Sequence, residues 1–297
     1  MFDEILLPVD GSENNRAAIA HAGGIAEAFG STIHVLHVVD ERILDNADAA
    51  DELVAAGERL VESVADELEG DGIDTSSRVE TEIPRDVIVD HAHGRGIDLV
   101  VLGSHGRTGM RKFLLGSVAE GVIRRSDVPV LTVPPGGAGA EFSPYRTVLV
   151  PTDGSPSAAA ALDPATALST AFDARLDALS VVTTTALGVD VRSTVFHEQL
   201  EERARTAVDD LEERARAAGV SSVGTSVAHG SAAAEIVRYA VEHDVDLVAM
   251  GTHGREGVER YLLGSVTERV LRTSSVPVLT VRVPESGTEP GMTSESS

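Results

Sequence analysis

Two glycine-rich stretches contain the residues best suited to hold a phosphate group. The first contains Gly103, Gly106, Gly116 and Ser117, and the second repeats that spacing with Gly251, Gly254, Gly264 and Ser265. Glycine has no Cβ, so its backbone can turn sharply and approach a ligand closely. Each stretch follows an apolar run typical of a buried strand and ends at the start of a helical pattern, where backbone N–H groups are free. The spacing therefore predicts two anion cradles, because a structural turn alone does not require the same return to Gly-Ser twice.

An aspartate follows the first apolar run of each repeat. Asp10 lies in Val9-Asp10-Gly11-Ser12, and Asp153 lies in Thr152-Asp153-Gly154-Ser155. A carboxylate at the end of a strand can accept hydrogen bonds from hydroxyl groups of a ligand. It can also cap the helix that follows, and the two roles can coexist.

Strands and helices alternate through both halves of the chain. In the first half, strands are expected near 4–9, 32–39, 77–81, 99–102 and 128–133, with helices near 14–29 and 84–95. Another helix is indicated by Leu53, Leu60, Val64 and Leu68. The second half follows the same plan, with Leu200, Ala204, Val208 and Leu211 on its second helix. This order predicts an α/β fold of two tandem doubly wound parallel five-stranded sheets with helices on both faces. Ligands bind such sheets at the carboxyl ends of the strands.

The repeat also predicts the domain boundaries. We expect domain 1 over 1–135, a Pro- and Gly-rich linker over 136–144, domain 2 over 145–284 and a disordered tail over 285–297. The last strand of each domain is apolar on both faces and lies at a sheet edge, which favours pairing with another strand. We expect Val130 to lie near Val278 within one chain, with a homodimer as the alternative.

The composition excludes several classes of protein. The 297 residues contain 48 acidic and 24 basic residues, a net charge of −24, and Lys112 is the only lysine. Such a surface disfavours nucleic-acid binding, because it repels phosphates. No apolar run approaches the roughly 20 residues of a membrane span, and the N-terminus has no signal-peptide core, so we expect a cytoplasmic protein. The acidity favours a high-salt cytoplasm; an ordinary acidic surface is the alternative.

Catalytic and metal-binding patterns are missing from the sequence. The chain has no cysteine, neither loop has the P-loop pattern, and the turn after the first strand lacks the dinucleotide-binding fingerprint. Ser12 and Ser155 lack the nucleophile-elbow pattern. His34 and His37 should face opposite sides of a strand, and His91 and His93 should be exposed on a helix. We therefore expect no catalytic residue and no metal site.

These residues resemble the universal stress protein family in its tandem two-domain form. Nucleotide-binding members of that family carry Gly-x2-Gly-x9-Gly-Ser/Thr after the fourth strand and a Val-Asp-Gly-Ser turn after the first. Both motifs recur here in both halves, with Thr152 in place of valine in the second turn. The resemblance covers nearly the whole chain and implies a Rossmann-like fold in which each domain binds ATP, with or without Mg²⁺.

The resemblance assigns one set of residues to each nucleotide site. In the first repeat they are Pro8, Val9, Asp10, Val39, Leu102, Gly103, His105, Gly106, Arg107, Gly116, Ser117 and Val118. In the second they are Pro151, Thr152, Asp153, Val182, Met250, Gly251, His253, Gly254, Arg255, Gly264, Ser265 and Val266. The aspartates would hold the ribose or adenine end, Val39 and Val182 would line the adenine pocket, and the glycine backbones would cradle the phosphates. His105 and His253 would contact phosphate or hold their loops.

The sequence departs from the family pattern at two places. Glu82 stands where the second repeat has Gly230, and would narrow one side of the first site. In the second phosphate loop, Glu256 and Glu259 replace Thr108 and Arg111. Two carboxylates beside a triphosphate are unfavourable unless they turn away or hold Mg²⁺. The second site is therefore expected to be the weaker one.

Three functions fit these patterns. The first is a nucleotide-binding stress regulator or sensor that is not an enzyme. The second is a slow ATP hydrolase or adenylyl-transfer enzyme on the same fold. The third is a dimerisation scaffold that binds no nucleotide. Bound nucleotide distinguishes the third function from the others, and turnover of ATP with Mg²⁺ distinguishes the second from the first.

The net charge predicts a salt-dependent stability. Salt at molar concentration screens charges beyond about 3 Å, so repulsion among the carboxylates should fall steeply between dilute buffer and molar KCl. We expect the melting temperature, followed by circular dichroism, to rise over that range. A melting temperature that does not change with KCl would contradict the high-salt interpretation.

Overall fold

The ten strands found among the described residues form one continuous sheet. The structure is a computed structural model that describes residues 1–12, 15–43, 47–104, 115–135, 142–183, 194–253 and 263–283. The strand order is β3-β2-β1-β4-β5-β10-β9-β6-β7-β8. Strands within each half pair in parallel, and the two halves meet where β5 pairs antiparallel with β10. The two predicted five-stranded parallel sheets are therefore confirmed, and they are joined edge to edge.

The strands and helices follow the predicted order. In the first repeat they are β1 (Glu4–Pro8), α1 (Asn15–Phe29), β2 (Thr32–Asp40), α2 (Ala47–Gly70), β3 (Thr75–Glu82), α3 (Pro84–Gly94), β4 (Leu99–Gly103), α4 (Ser117–Arg125) and β5 (Val130–Val133). In the second they are β6 (Thr147–Pro151), α5 (Pro156–Ala160), α6 (Leu162–Ala171), β7 (Arg175–Val182), α7 (Thr194–Ala217), β8 (Val223–His229), α8 (Ala232–Glu242), β9 (Leu247–Gly251), α9 (Ser265–Thr273) and β10 (Val278–Val281). A short 3-10 turn, Glu41–Ile43, follows β2.

Two strands differ from their predicted bounds by more than one residue, each for a physical reason. β3 is longer than 77–81, because it pairs with β2 along its whole length, from Thr75 opposite Ile33 to Glu82 opposite Asp40. Its residues are mostly polar and exposed, so hydrophobic alternation does not mark its ends. β5 begins at Val130 rather than 128, where its pairing with β4 begins.

Helices cover both faces of the sheet, and each face has its own core. α1, α2, α6 and α7 pack on one face, against residues such as Ile5 and Leu7 of β1. α3, α4, α8 and α9 pack on the other face, against residues such as Leu6. The alternation of Ile5, Leu6 and Leu7 between the two cores follows from the two-residue period of a strand.

The junction of the two halves confirms the predicted pairing of the last strands. Leu131 lies opposite Leu279, Val130 opposite Thr280, and Thr132 opposite Val278. Leu131 and Leu279 are completely buried. Because β5 and β10 are antiparallel, the strands of the two halves point in opposite directions. Their carboxyl ends therefore lie at opposite margins of the sheet, which separates the two predicted sites.

Charged residues reinforce the junction on the α4 and α9 face. Glu120 and Arg124 pair within α4, and Glu268 and Arg272 pair in the same way within α9. Arg272 also approaches Glu120 of the other repeat, with 3.7 Å between Nη2 and Oε2. Arg282 donates a hydrogen bond to the Arg124 carbonyl at 3.0 Å.

Aromatic residues cover the junction on the opposite face. Phe142 and Tyr145, which lie just before β6, pack against His21 of α1 and against Phe172 after α6. His21 Nδ1 and the Tyr145 hydroxyl are 2.8 Å apart. A Cβ on Gly24 would lie 2.0 Å from the Phe142 ring, so glycine is needed for this close contact. These residues tie the start of the second repeat to the first helix of the first.

Within the described residues, no helix has both the length and the apolar character that a membrane crossing requires.

The junction predicts a large effect for a charge placed in β10. Val278 is 2% exposed, so Val278→Asp would bury a carboxylate without a partner and should lower the free energy of unfolding by about 3 kcal/mol or more. Val283→Asp is the matched control, because Val283 is 40% exposed, and it should cost less than about 0.5 kcal/mol. Urea unfolding followed by circular dichroism measures both. Equal stability of the two variants would contradict this account of the junction.

His21 predicts a loss of stability in acid. Burial lowers the pKa of His21 from 6.5 to about 4. Between these values the unfolded chain binds a proton that the folded state does not. The free energy of unfolding should therefore decrease by up to about 1.4 kcal/mol per pH unit as the pH falls from 6.5 to 4.

Replacing the ring tests this assignment. His21→Phe should remove that part of the pH dependence of unfolding, whereas His93→Phe, at a side chain 40% exposed, should keep it. Urea titrations at several pH values between 4 and 7 give the comparison. The same pH dependence in the wild type and in His21→Phe would show that the acid sensitivity comes from another group.

Candidate functional site

A cavity of about 990 Å³ lies at the carboxyl ends of β6, β7 and β9 in the second repeat. The three strands are neighbours in the order β9-β6-β7, so the segments that follow them converge. α7 and α8 contribute Arg203 and Ile236 to the wall, and Leu263 closes another side. This is the margin of a parallel sheet at which ligands bind.

The predicted residues of the second repeat converge on this cavity. Those that line it are Pro151, Thr152, Asp153, Val182, Met250, Gly251, His253, Gly264, Ser265 and Val266. Gly254, Arg255, Glu256 and Glu259 lie outside the described residues. The expectation of a weaker second site depends on Glu256 and Glu259 and stays a prediction. The described residues of the second repeat surround a volume of the size that small-molecule pockets have.

Hydrogen bonds hold Asp153 in a fixed turn. Its Oδ1 accepts the Ser155 N–H at 2.9 Å, and Gly154 has a φ of 75°, in the left-handed region. Ser155 performs the capping, because its Oγ accepts the Ala158 N–H of α5 at 3.2 Å. Asp153 therefore shapes the turn and lines the cavity, while the capping role falls to the serine.

A backbone hydrogen bond joins the two ends of the loop between β9 and α9. The Gly264 N–H donates to the Thr252 carbonyl at 2.8 Å. The N-cap residue of α9 is Gly264, which has no side chain that could accept a hydrogen bond from the first N–H groups of the helix. The first turn of α9 thus presents backbone N–H groups and a positive dipole end to the cavity.

Two contacts hold the end of β9 beside the helices. Thr267 Oγ1 donates to the Gly251 carbonyl at 2.8 Å. A Cβ on Gly251 would lie 2.4 Å from the Ser157 carbonyl oxygen, so glycine is required for this close approach of β9 to α5. His253 Nδ1 is 2.9 Å from Thr252 Oγ1, whereas its Nε2 is buried and has no hydrogen-bond partner in the described ranges. That nitrogen is a polar group beside the cavity that a ligand could satisfy.

The first repeat places its predicted residues in the same local structures. Pro8 ends β1, Val39 lies near the end of β2, Leu102 and Gly103 end β4, and Ser117 begins α4. The turn is also the same, because the Asp10 carboxylate accepts the Ser12 N–H at 2.9 Å.

The backbone around the first phosphate loop also matches. The Gly116 N–H donates to the Ser104 carbonyl at 2.8 Å, the counterpart of the bond from Gly264 to Thr252. Val9 follows β1, and Val118 lies in the first turn of α4. His105, Gly106, Arg107, Thr108 and Arg111 lie outside the part of the chain that the structure describes.

Comparison with known proteins identifies the family. The model of the universal stress protein family matches residues 1–134 and again residues 144–282. The chain belongs to the universal stress protein family.

Relatives and solved structures agree with the tandem organisation. A universal stress protein of Mycobacterium tuberculosis is 29% identical over 300 residues, which cover 94% of this chain and 96% of that protein. One of Methanocaldococcus jannaschii is 30% identical over 154 residues, 45% of this chain and 95% of that protein. The crystal structure of a universal stress protein from Archaeoglobus fulgidus superimposes with a TM-score of 0.74 at 26% identity, covering 95% of this chain and 99% of that one.

The two repeats of this universal stress protein differ at positions that the motifs do not include. Ser180 and Ala158 line the cavity in the second repeat. The corresponding residues of the first repeat are larger: His37 bonds the Val9 carbonyl at 2.7 Å, and Asn15 accepts the Asp10 N–H at 2.9 Å. Sequence reasoning treated His37 only as a strand histidine and missed the other three residues, because only a comparison of the aligned repeats indicates that these positions differ in volume.

Two further histidines among the described residues, His34 and His91, form structural contacts. His34 lies between Glu4 and Ser76, with 2.5 Å from Nε2 to Glu4 Oε2 and 2.7 Å from Nδ1 to Ser76 Oγ. The prediction that His91 is exposed is wrong, because it is buried and its Nε2 lies 2.8 Å from Glu80 Oε1. Among the described residues, no group of three or more His, Asp or Glu side chains could hold a metal ion.

Proposed function

We propose that this universal stress protein binds ATP, or a closely related adenine nucleotide, in each repeat and acts as a stress-response regulator rather than an enzyme. The observation that carries the proposal is the cavity of about 990 Å³ onto which the Asp153 turn and the first turn of α9 both open. A carboxylate for hydroxyl groups and a helix N-terminus for phosphate lie at one margin of the sheet.

The lining residues provide complementary chemistry for each part of a nucleotide. Val182 and Met250 are buried apolar walls suited to the adenine ring. Asp153 would accept hydrogen bonds from the ribose, and the N–H groups of Ser265 and Val266 would donate to the phosphates. ATP would bind with or without Mg²⁺, and these residues would bind the nucleotide without catalysing a reaction.

The proposal treats each repeat as a nucleotide-binding domain, over 1–135 and 145–284. The first repeat would use Asp10, Val39 and the first turn of α4 in the same way. Each chain would thereby carry two sites at opposite margins of one sheet. We also propose a cytoplasmic location in cells of high internal salt, on the basis of the net charge of −24.

Replacing each aspartate by asparagine tests the proposal. The asparagine side chain keeps one oxygen that can accept the hydrogen bond from the N–H of the turn. Its NH2 group replaces the other carboxylate oxygen and can only donate. Asp10→Asn and Asp153→Asn should each weaken ATP binding at their own site about tenfold to a hundredfold, the effect of losing a charged hydrogen bond. Isothermal titration calorimetry of the full chain measures the two sites.

Asp163→Asn is the matched control, because Asp163 lies on α6 with its side chain 73% exposed. It should leave ATP binding unchanged. A wild-type chain that binds no adenine nucleotide would refute the proposal, and so would aspartate variants that bind as the wild type does. Release of ADP from ATP and Mg²⁺ by the purified protein would favour the hydrolase instead.

A further inference from the structure

We propose that the second site prefers an adenine nucleotide carrying an additional phosphate on its ribose, and that Arg203 is the residue that selects it. This inference rests on the proposed function, because it takes the adenine nucleotide and its orientation from there. It concerns what distinguishes the second site from the first.

Arg203 stands between two cavities. It lines the cavity of about 990 Å³ described above and also a neighbouring one of about 610 Å³. The neighbouring cavity lies between α7 and the turn after β6, where Gly154 forms its wall opposite Thr206 and Ala207. Arg203 therefore borders the proposed nucleotide site at the end where Asp153 lies.

Arg203 makes no ion pair with any residue in the described ranges. Other arginines of α7 are paired within the helix, Arg205 with Glu201 at 2.6 Å and Arg216 with Glu212 at 2.8 Å. The side chains that could reach Arg203 from one helical turn away are Gln199, Leu200, Thr206 and Ala207, which are uncharged. In a chain with twice as many acidic as basic residues, this guanidinium at the cavity is available to an anionic ligand.

The topology separates Arg203 from the phosphate end of the site. α9 follows β9, whereas α7 follows β7, and β6 lies between these two strands. Two strand spacings amount to about 10 Å. A nucleotide whose 5′ phosphates bind the first turn of α9 therefore presents its ribose, not those phosphates, on the Arg203 side. The ribose hydroxyls are where a further phosphate could reach the guanidinium.

Carboxylates limit where that phosphate can lie. Glu202 and Asp210 also line the neighbouring cavity and would repel an anion placed deeper in it. Asp210 is seven residues from Arg203, about 10 Å along α7. The anion must therefore stay at the Arg203 end, where the guanidinium offsets the repulsion from the Asp153 carboxylate, and this favours one compact phosphate over an extended anionic chain.

The first repeat has no cation at the position of Arg203, and its Arg59 takes the place of Thr206, about one turn further along the helix. α2 and α7 align through their buried positions, with Val61 and Val64 corresponding to Val208 and Leu211. In that alignment Ala56 takes the place of Arg203. The first site should bind nucleotides without discriminating in favour of a phosphate on the ribose.

Calorimetry on the full chain tests the inference in the Asp10→Asn background, in which the first site is weakened. The ligands are ATP, AMP, ADP and adenosine 3′,5′- and 2′,5′-bisphosphate. ADP and the bisphosphates have the same number of phosphates in different places. We expect one bisphosphate to bind about tenfold more tightly than AMP, a gain of the size of one exposed charge-assisted hydrogen bond.

Arg203→Ala should remove that gain and leave the affinity for ATP within about twofold. Arg205→Ala, which breaks an exposed pair on the same helix, should change neither. Bisphosphates that bind no better than AMP, or a gain that survives Arg203→Ala, would overturn the inference while ATP binding stands. An equal loss for all ligands in Arg203→Ala would overturn it too, since Arg203 would then contact the part they share. Absence of ATP binding would refute the proposed function, and this inference with it.

Discussion

The structure depends on one constraint, that the last strand of each repeat cannot remain an open edge. β5 and β10 are each four residues long. Three of the four residues in each strand are apolar and the other is threonine, and all of them are buried. Unpaired backbone groups on such an edge would attract other chains. Pairing the two strands with each other removes both edges within one chain. It also fixes the antiparallel relation of the repeats, and hence the separation of the two sites.

The repeats share backbone geometry while their side chains differ. The bond that closes the phosphate loop is 2.8 Å long in both, from Gly116 to Ser104 and from Gly264 to Thr252. An anion cradle depends on where N–H groups point, so its backbone must be kept. The side chains around the cradle can differ in volume and charge between the repeats. His37 and Ser180, which occupy the same position in the two repeats, differ in this way. One duplicated fold thereby carries different side chains around the same backbone at its two predicted sites.

Much of the fold, and many of the residues that line the cavity of the second repeat, could be predicted from short-range patterns. Glycine spacing marks the ends of the loops that join β4 to α4 and β9 to α9, and the alternation of apolar residues places the central strands, because both patterns reflect local backbone requirements. β3 was predicted too short, since an edge strand with polar residues is defined by its partner β2 rather than by its own pattern. His91 was predicted exposed, because helical periodicity does not show that Glu80 of a neighbouring strand faces it.

The sequence by itself determined the order of strands and helices, the repeat, and the turn and loop residues that meet at the carboxyl ends of the strands. Each of these depends on residues close together in the chain. Only the tertiary structure decided where a cavity remains between the packed segments and which side chains line it. Ser180 lines the cavity of the second repeat, whereas the larger His37 stands at the same position in the first, and Arg203 lines the same cavity as Asp153 although 50 residues separate them in the chain. The volume and the charge of a cavity depend on side chains from segments that are far apart in the sequence. They are therefore defined only after those segments have packed together.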